Sequence, residues 1–288
     1  MNHVEFVFPK QKRKAYLVSH NGLGDNLFMI GALRFIQQFY DNVYFLCKKK
    51  YINNVELFFE PGGCITCVPL DDEINEIIQI LSVEKYMDKY VDIFVCGCHT
   101  SYRHSKINNR QFLHHINTLT LPSTTTDVPF CTNPSNFYFI EIFYQNIRLN
   151  SSYYYAYFDL PNNDVSKRLY KTIAHFPYIV FVQFQSSDKK SLNISHLMEK
   201  YLDNPETIIV CNDKNLYQPH HSQYTLVEAF FQDNKIVHYV DVIKNSHEIY
   251  LIDSCFVGIV LPFFIQNKLK TDVKIKIVMR EDTDKHII

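Results

Sequence analysis

The chain of 288 residues has no tryptophan and only seven glycines, so any place where two glycines fall together stands out. It has no charge surplus. Twenty-nine basic and thirty acidic side chains leave a net charge of −1, so no global field draws the protein to nucleic acid or to an anionic membrane. Any phosphate it binds must be met by local groups. No stretch approaches ~18 uninterrupted apolar residues, and the opening MNHVEFVFPKQKRK lacks the apolar centre of a signal peptide. The reading is a cytoplasmic chain with no transmembrane segment. A P-loop would need Gly-Lys-Ser/Thr, which occurs nowhere. A dinucleotide fingerprint would need Gly or Ala where Leu27 stands, and an acidic residue where the second strand runs into Lys48, Lys49 and Lys50.

What is present is a core. Hydrophobic residues make up 47% and aromatics 15%, enough for a globular fold of one large or two ordinary domains. Eight cysteines include Cys64-x-x-Cys67 and Cys96-x-Cys98, which raises a four-thiolate zinc site. Both pairs flank or end strand-like runs, however, and buried free thiols in a reducing compartment account for them better. Neither a metal nor a cofactor is expected. A D-x-D pair at Asp282 and Asp284 lies in a charged tail and is left unassigned.

The chain is organised around Ala15 to Tyr40. An apolar run, Tyr16 to Val18, leads into Gly22-Leu-Gly24-Asp25-Asn26. There follows a helical pattern with Phe28, Ala32, Ile36 and Phe39 on one side and Asn26, Arg34, Gln37 and Gln38 on the other. Two glycines at such a turn allow a bound group to approach the amides of the helix start. Asp25 is either a cap of that helix or a chemical group. Strand-like runs at 43–47, 64–69 and 91–96 alternate with helical ones at 51–59 and 72–89, which predicts a mostly parallel α/β sheet. In such sheets ligands gather beyond the carboxyl ends of the strands. The polar segment from His99 to Leu119 lies there, and Arg103 and His104 are its candidate contacts.

A helix is expected over 137–149, then a boundary near Asn150, a strand over 151–158 and a helix over 162–174. The second half repeats the pattern: strands at 178–183, 207–210, 236–239, 249–252 and 273–279, with short helical pieces between them. After the strand YIVFVQ comes FQSSDKKS, whose hydroxyls and ammonium groups suit a phosphate. After the strand Ile249 to Ile252 comes Asp253-Ser254, where either residue could instead cap the helix that follows.

The run GLGDNLFMIGALRFI resembles the GxGDxLxxxPALRxL segment of heptosyltransferase-like glycosyltransferases, the family 9 group, with Gly31 in place of their proline. The loop with Ser186 and Lys190 is similar to that family's donor-phosphate loop, although Leu197 takes its usual aromatic position. Asp253-Ser254 resembles its DSG/DTG-x-x-H segment, with Cys255 for glycine and Gly258 for histidine. The resemblance implies a GT-B architecture: two Rossmann-like doubly wound domains facing across a cleft, 1–150 on the acceptor side and 151–288 binding the sugar nucleotide. It implies a transferase moving a sugar from a nucleotide-sugar donor to a glycan or other hydroxyl acceptor. On the same basis Asp25 would be the base, Ser186, Lys190 and Ser254 would contact the diphosphate, and Asp253 would lie near the sugar. Gly22, Gly24, Arg103 and His104 would belong to the acceptor side. An inverting, metal-independent transfer is the expectation. The alternatives are a GT-B-like module that binds a glycan or protein without catalysis, and an NAD(P)-dependent oxidoreductase or epimerase.

Overall fold

The computed structural model describes residues 13–18, 22–71, 90–96, 105–118, 138–211 and 235–285. Arg103, His104 and Cys98 lie outside the described residues, as do the helices expected at 72–89 and 226–231. The strands are β1 (Lys14–Val18), β2 (Asn42–Lys48), β3 (Ile65–Leu70), β4 (Val91–Val95), β5 (Tyr178–Gln183), β6 (Thr207–Cys211), β7 (Glu248–Ile252) and β8 (Lys274–Val278). The helices are α1 (Leu23–Phe28), α2 (Ile30–Ile36), α3 (Ile52–Val55), α4 (Arg110–Thr118), α5 (Tyr138–Gln145), α6 (Ser152–Tyr157), α7 (Asp164–Ile173), α8 (Ser195–Tyr201), α9 (Val240–Asn245) and α10 (Val257–Ile265).

The strands form two four-stranded sheets, ordered β3-β2-β1-β4 and β6-β5-β7-β8. Among the described residues the strands within both sheets pair in parallel, in the α/β class that the alternating runs predict. Continuous apolar runs mark strands buried on both faces, and β4 and β6 are buried at every residue. In the first sheet the chain adds β2 and β3 on one side of β1 and then places β4 on the other. In the second it adds β6 beside β5 and then β7 and β8 on the opposite side. Each sheet therefore has a topological switch point, between β1 and β4 and between β5 and β7. A crevice opens outside the carboxyl ends of the strands at such points.

Three elements differ from expectation, and tertiary contacts explain them. Within 151–158, Ser152–Tyr157 form helix α6 rather than a strand, because Tyr154 must lay its backbone against Gly31. A Cβ built on Gly31 would lie 2.6 Å from both the Cα and the carbonyl oxygen of Tyr154. Residues Ile236–Tyr239 form a 3-10 turn, started by Lys235 and by the Ile236 amide donating to Asn54 Oδ1 at 3.0 Å. The single helix expected after Gly24 is broken at Met29 into α1 and α2. The buried Tyr144 hydroxyl causes the break. It accepts from the Ala32 amide at 3.1 Å and donates to the Phe28 carbonyl at 2.7 Å, so it is inserted into what would be one i→i−4 helical bond.

One cluster of buried side chains runs through both halves, from Leu27 and Phe28 to Phe256, Val257 and Phe263. The other face of the first sheet carries a smaller cluster of Val18, Leu46, Leu70, Ile93 and Val95. Two buried carboxylates sit at amino ends of strands. Asp92 accepts from Tyr40 (2.6 Å) and from the amides of Asn108 and Asn109. Glu248 accepts from Tyr178 (2.8 Å), Tyr201 (3.1 Å) and Tyr250 (2.9 Å). Both are structural pairings remote from the carboxyl edges.

Candidate functional site

The turn after β1 is built by its own side chains. Asp25 Oδ2 accepts from the Gly22 amide at 2.8 Å, and Asn26 Nδ2 donates to the Gly22 carbonyl at 2.8 Å. A Cβ on residue 22 would stand 2.8 Å from Asp25 Oδ2, so a side chain there would push the capping carboxylate out of place. Asp25 thus caps the start of α1 by reaching back to Gly22, the structural role open to it from sequence. Asn26 departs from its expected place on the polar side of the helix. It is fully buried, and its Oδ1 has no hydrogen-bond partner among the described residues.

The loop after β5 is also tightly specified. The Ser186 amide donates to the Lys190 carbonyl at 3.0 Å, the Lys189 amide to the Ser186 carbonyl at 3.0 Å, and Lys189 takes a left-handed conformation (φ 66°). The Ser186 hydroxyl bonds to the Asp188 carboxylate. Lys190 Nζ donates to the Arg280 carbonyl at 3.0 Å, which ties this loop to the chain leaving β8. Leu197, on α8, is buried in the core.

Beyond β7, the Asp253 amide donates to the Val278 carbonyl at 2.9 Å, while its own carbonyl accepts from Arg280 Nε at 2.7 Å. Burial raises the Asp253 carboxyl above the usual range, against the opposing charge of Arg280 and with Glu281 and Asp188 adding to the rise. Neither Asp253 nor Ser254 caps α10 through its side chain: the cap residue is Phe256, with no side-chain cap bond. Burial also pushes the Cys255 thiol up, with hydrogen bonds from Ser254 and Gln183 opposing it.

These three turns meet. The Cβ position of Gly24 lies 3.5 Å from Cys255 Cα, in ordinary van der Waals contact, and Gln183 Nε2 lies 3.8 Å from Cys255 Sγ. Gln183 closes β5 almost fully buried, and its Oε1 is without a partner among the described residues. The Gly22–Asp25 turn of the first sheet, the Asp253–Cys255 turn of the second and the cationic pair Lys190 and Arg280 are thus linked by direct contacts.

No family model matches the sequence, and no curated protein matches it. Among solved structures the chain is similar to glycosyltransferases. A glycosyl transferase family 9 protein from Veillonella parvula shares 10% identity and a TM-score of 0.49, over 98% of this chain and 91% of that one. E. coli heptosyltransferase WaaC with ADP-2-deoxy-2-fluoro heptose shares 10% identity and a TM-score of 0.41, over 87% of this chain and 86% of that one.

The described cysteines of the two pairs stand apart. Cys64 and Cys67 border and lie in β3 and Cys96 follows β4, at opposite edges of the first sheet. Three strand spacings of ~4.8 Å separate those edges, far beyond the reach of one tetrahedral ion. Burial pushes the Cys47 and Cys67 thiols up to about 12, the state of inert core thiols. Among the described residues no three metal-ligating side chains cluster. No described helix is long and apolar enough to cross a membrane.

Sequence reasoning missed Asn26, Gln183, Asp188 and Arg280. Arg280 carried a readable signal: it directly follows the strand-like 273–279, so a parallel sheet puts it at the same carboxyl edge as Asp253. Asn26 and Gln183 carried none, because their importance lies in being buried.

Proposed function

We propose that the protein is a glycosyltransferase that moves a sugar from a nucleotide-sugar donor to an acceptor hydroxyl. The observation that carries the reading is the contact of Gly24 with Cys255, which apposes the turns at the switch points of two parallel sheets. One turn bears a carboxylate, and the other lies beside Lys190 and Arg280. Residues 151–288 would hold the donor, with Ser186, Lys190 and Ser254 on the diphosphate and Asp253 near the sugar. Residues 1–150 would present the acceptor.

In the reaction the acceptor oxygen attacks the anomeric carbon as the bond from that carbon to the diphosphate breaks. The electron pair leaves with the nucleoside diphosphate, and Asp25 takes the hydroxyl proton. Attack opposite the leaving group inverts the anomeric configuration. Fixed cations beside the leaving diphosphate offset its growing charge, so the scheme needs no metal. Asp25 keeps one oxygen outside its bond to Gly22 among the described residues, and that oxygen supports the assignment.

The test is a thermal-shift panel of UDP, GDP, ADP, CMP, NAD and NADP on wild type and Lys190→Ala. Ligand at a hundred times its dissociation constant adds about 2.7 kcal/mol of stability. A shift with one nucleoside diphosphate, lost in Lys190→Ala, supports the donor site and names the sugar nucleotides to try for turnover. A shift with NAD or NADP alone would sink the transferase reading in favour of an oxidoreductase or epimerase.

A second reading has its own observations. Asp25 is engaged in capping at 2.8 Å, and at Gly258, the position of the family's histidine, an added Cβ would lie 3.1 Å from Leu27 Cβ, so a side chain there is crowded. Both favour a module that binds a glycan or a protein without catalysis. Asp25→Asn keeps an acceptor for the Gly22 amide, so it abolishes turnover in an enzyme and leaves a pure binder unchanged.

A further inference from the structure

The Asp188 carboxylate is held by the groups a phosphate would use. It accepts from the Ser186 hydroxyl, and its Oδ2 lies 3.8 Å from an Arg280 guanidinium nitrogen. The Ser186 hydroxyl, with the charges of Arg280 and then Lys190, holds the carboxyl below its usual range. The guanidinium is not free to swing away, because its Nε is fixed on the Asp253 carbonyl at 2.7 Å. Lys190 is fixed in turn on the Arg280 carbonyl at 3.0 Å. A hydroxyl, a planar guanidinium and an ammonium held in register form the usual equipment for a phosphoryl group. Here that equipment already carries a carboxylate.

We infer that Asp188 is a displaceable stand-in for a phosphoryl group in the Ser186–Lys190–Arg280 cluster, and that it sets how tightly a diphosphate binds there. The inference rests on the donor-site reading above and adds Arg280 and Asp188 to it. Displacement is feasible because both partners reach solvent, with side-chain exposures of 35% for Arg280 and 44% for Asp188. Exposed pairs of this kind hold little stability, so the charge can be removed without unfolding the loop. The loop keeps its shape through backbone bonds from Ser186 to Lys190 and from Lys189 to Ser186. The displaced carboxylate nonetheless remains close to the incoming diphosphate, and the repulsion between them lowers affinity. A loop of this build favours release of the diphosphate over its retention.

The test is calorimetric titration of the nucleoside diphosphate selected by the panel, and of inorganic pyrophosphate, into wild type, Asp188→Asn, Asp188→Ser, Arg280→Gln, the Asp188→Asn/Arg280→Gln pair and Lys190→Ala. Asp188→Asn and Asp188→Ser are expected to tighten both probes by roughly tenfold, about 1.4 kcal/mol. The paired variant is expected to lose that gain. If Lys190→Ala weakens binding while neither Asp188 variant tightens it, the stand-in is wrong and the donor site survives. Tightening of the nucleoside diphosphate without pyrophosphate would place the effect away from the phosphates and overturn the inference. Failure of every probe to bind any form would overturn the inference together with the donor-site reading.

Discussion

Replacing Gly31 by alanine tests whether the two halves are joined as described. The added Cβ would stand 2.6 Å from Tyr154 Cα, 2.6 Å from its carbonyl oxygen and 2.7 Å from the carbonyl oxygen of Tyr153. Carbon contacts are comfortable at about 3.5–4.0 Å, so the backbone of α6 would have to retreat by about 1 Å. Its own packing resists, because Tyr153, Tyr154 and Tyr155 are all buried. Overpacking of this kind destabilises by about 1–3 kcal/mol, and contact with backbone rather than a flexible tip argues for the upper end. Alanine in a helix recovers about 1 kcal/mol relative to glycine. The net is a loss of about 2 kcal/mol, or roughly 4–8 °C in melting temperature. Gly24→Ala is the comparison: its Cβ meets nothing nearer than 3.5 Å. That variant should stay within about 0.5 kcal/mol of wild type. Urea denaturation followed by far-ultraviolet circular dichroism reads both. Gly31→Ala as stable as wild type, or more so, would refute the α2–α6 contact.

Tyr144→Phe removes the hydroxyl that bridges Phe28 and Ala32, and should destabilise by about 2 kcal/mol, because two buried groups lose their partner and only a straightened helix could pair them again. Equal stability in urea would show that the hydroxyl is not what breaks the helix. Burial alone would raise the Glu248 carboxyl, but hydroxyls of Tyr178, Tyr250 and Tyr201 hold it below the usual carboxylate range. Its contribution is therefore full above the unfolded pKa of ~4.3 and is lost as pH falls through the lower folded value. Glu248→Gln should be less stable at neutral pH and flatter on the acid limb of a stability profile; a profile parallel to wild type would contradict the assignment. Asp253 has the opposite sign. Its raised folded pKa gives a contribution present below the unfolded value and lost as pH rises through the folded one, so at neutral pH its charge is a burden. Asp253→Asn should melt higher than wild type near pH 7 and bind the nucleoside diphosphate differently, and a lower melting temperature would count against a strained carboxylate there.

The fold was legible where burial writes directly into sequence. Strands covered on both faces are mostly apolar, as in YIVFVQ and TIIVC, and such runs alternating with helical ones leave little besides a parallel sheet. The turns that carry polar groups were legible for a related reason, since they follow those strands and so fall at the ligand-binding edge. What could not be read were features decided by contacts distant in the chain. The tyrosines of 153–157 suit a strand by propensity, and only the space over Gly31 makes them a helix. Asn26 reads as a surface residue until its amide is seen to serve Gly22. Asp188 reads as solvated charge until Arg280, ninety-two positions away, comes beside it.

Three of the four departures from the family pattern, Gly31, Cys255 and Gly258, look in the sequence like separate erosions of a motif. In the structure they belong to one packing arrangement. Gly31 admits the backbone of Tyr154, whose hydroxyl crosses to donate to the Gly258 carbonyl at 2.6 Å. Gly258 in turn lets α10 lie against Leu27 of α1, and three residues before each of these Gly24 approaches Cys255. A histidine at position 258 would need the space that Leu27 occupies, and a proline at position 31 would meet Tyr154. A change that keeps the two halves in contact here is a change in how the turns are brought together. It leaves in place Asp25 on one side and Ser186, Lys190, Asp253 and Ser254 on the other, so the departures mark how the halves pack, and turnover by wild type against Asp25→Asn decides between the transferase and the binder.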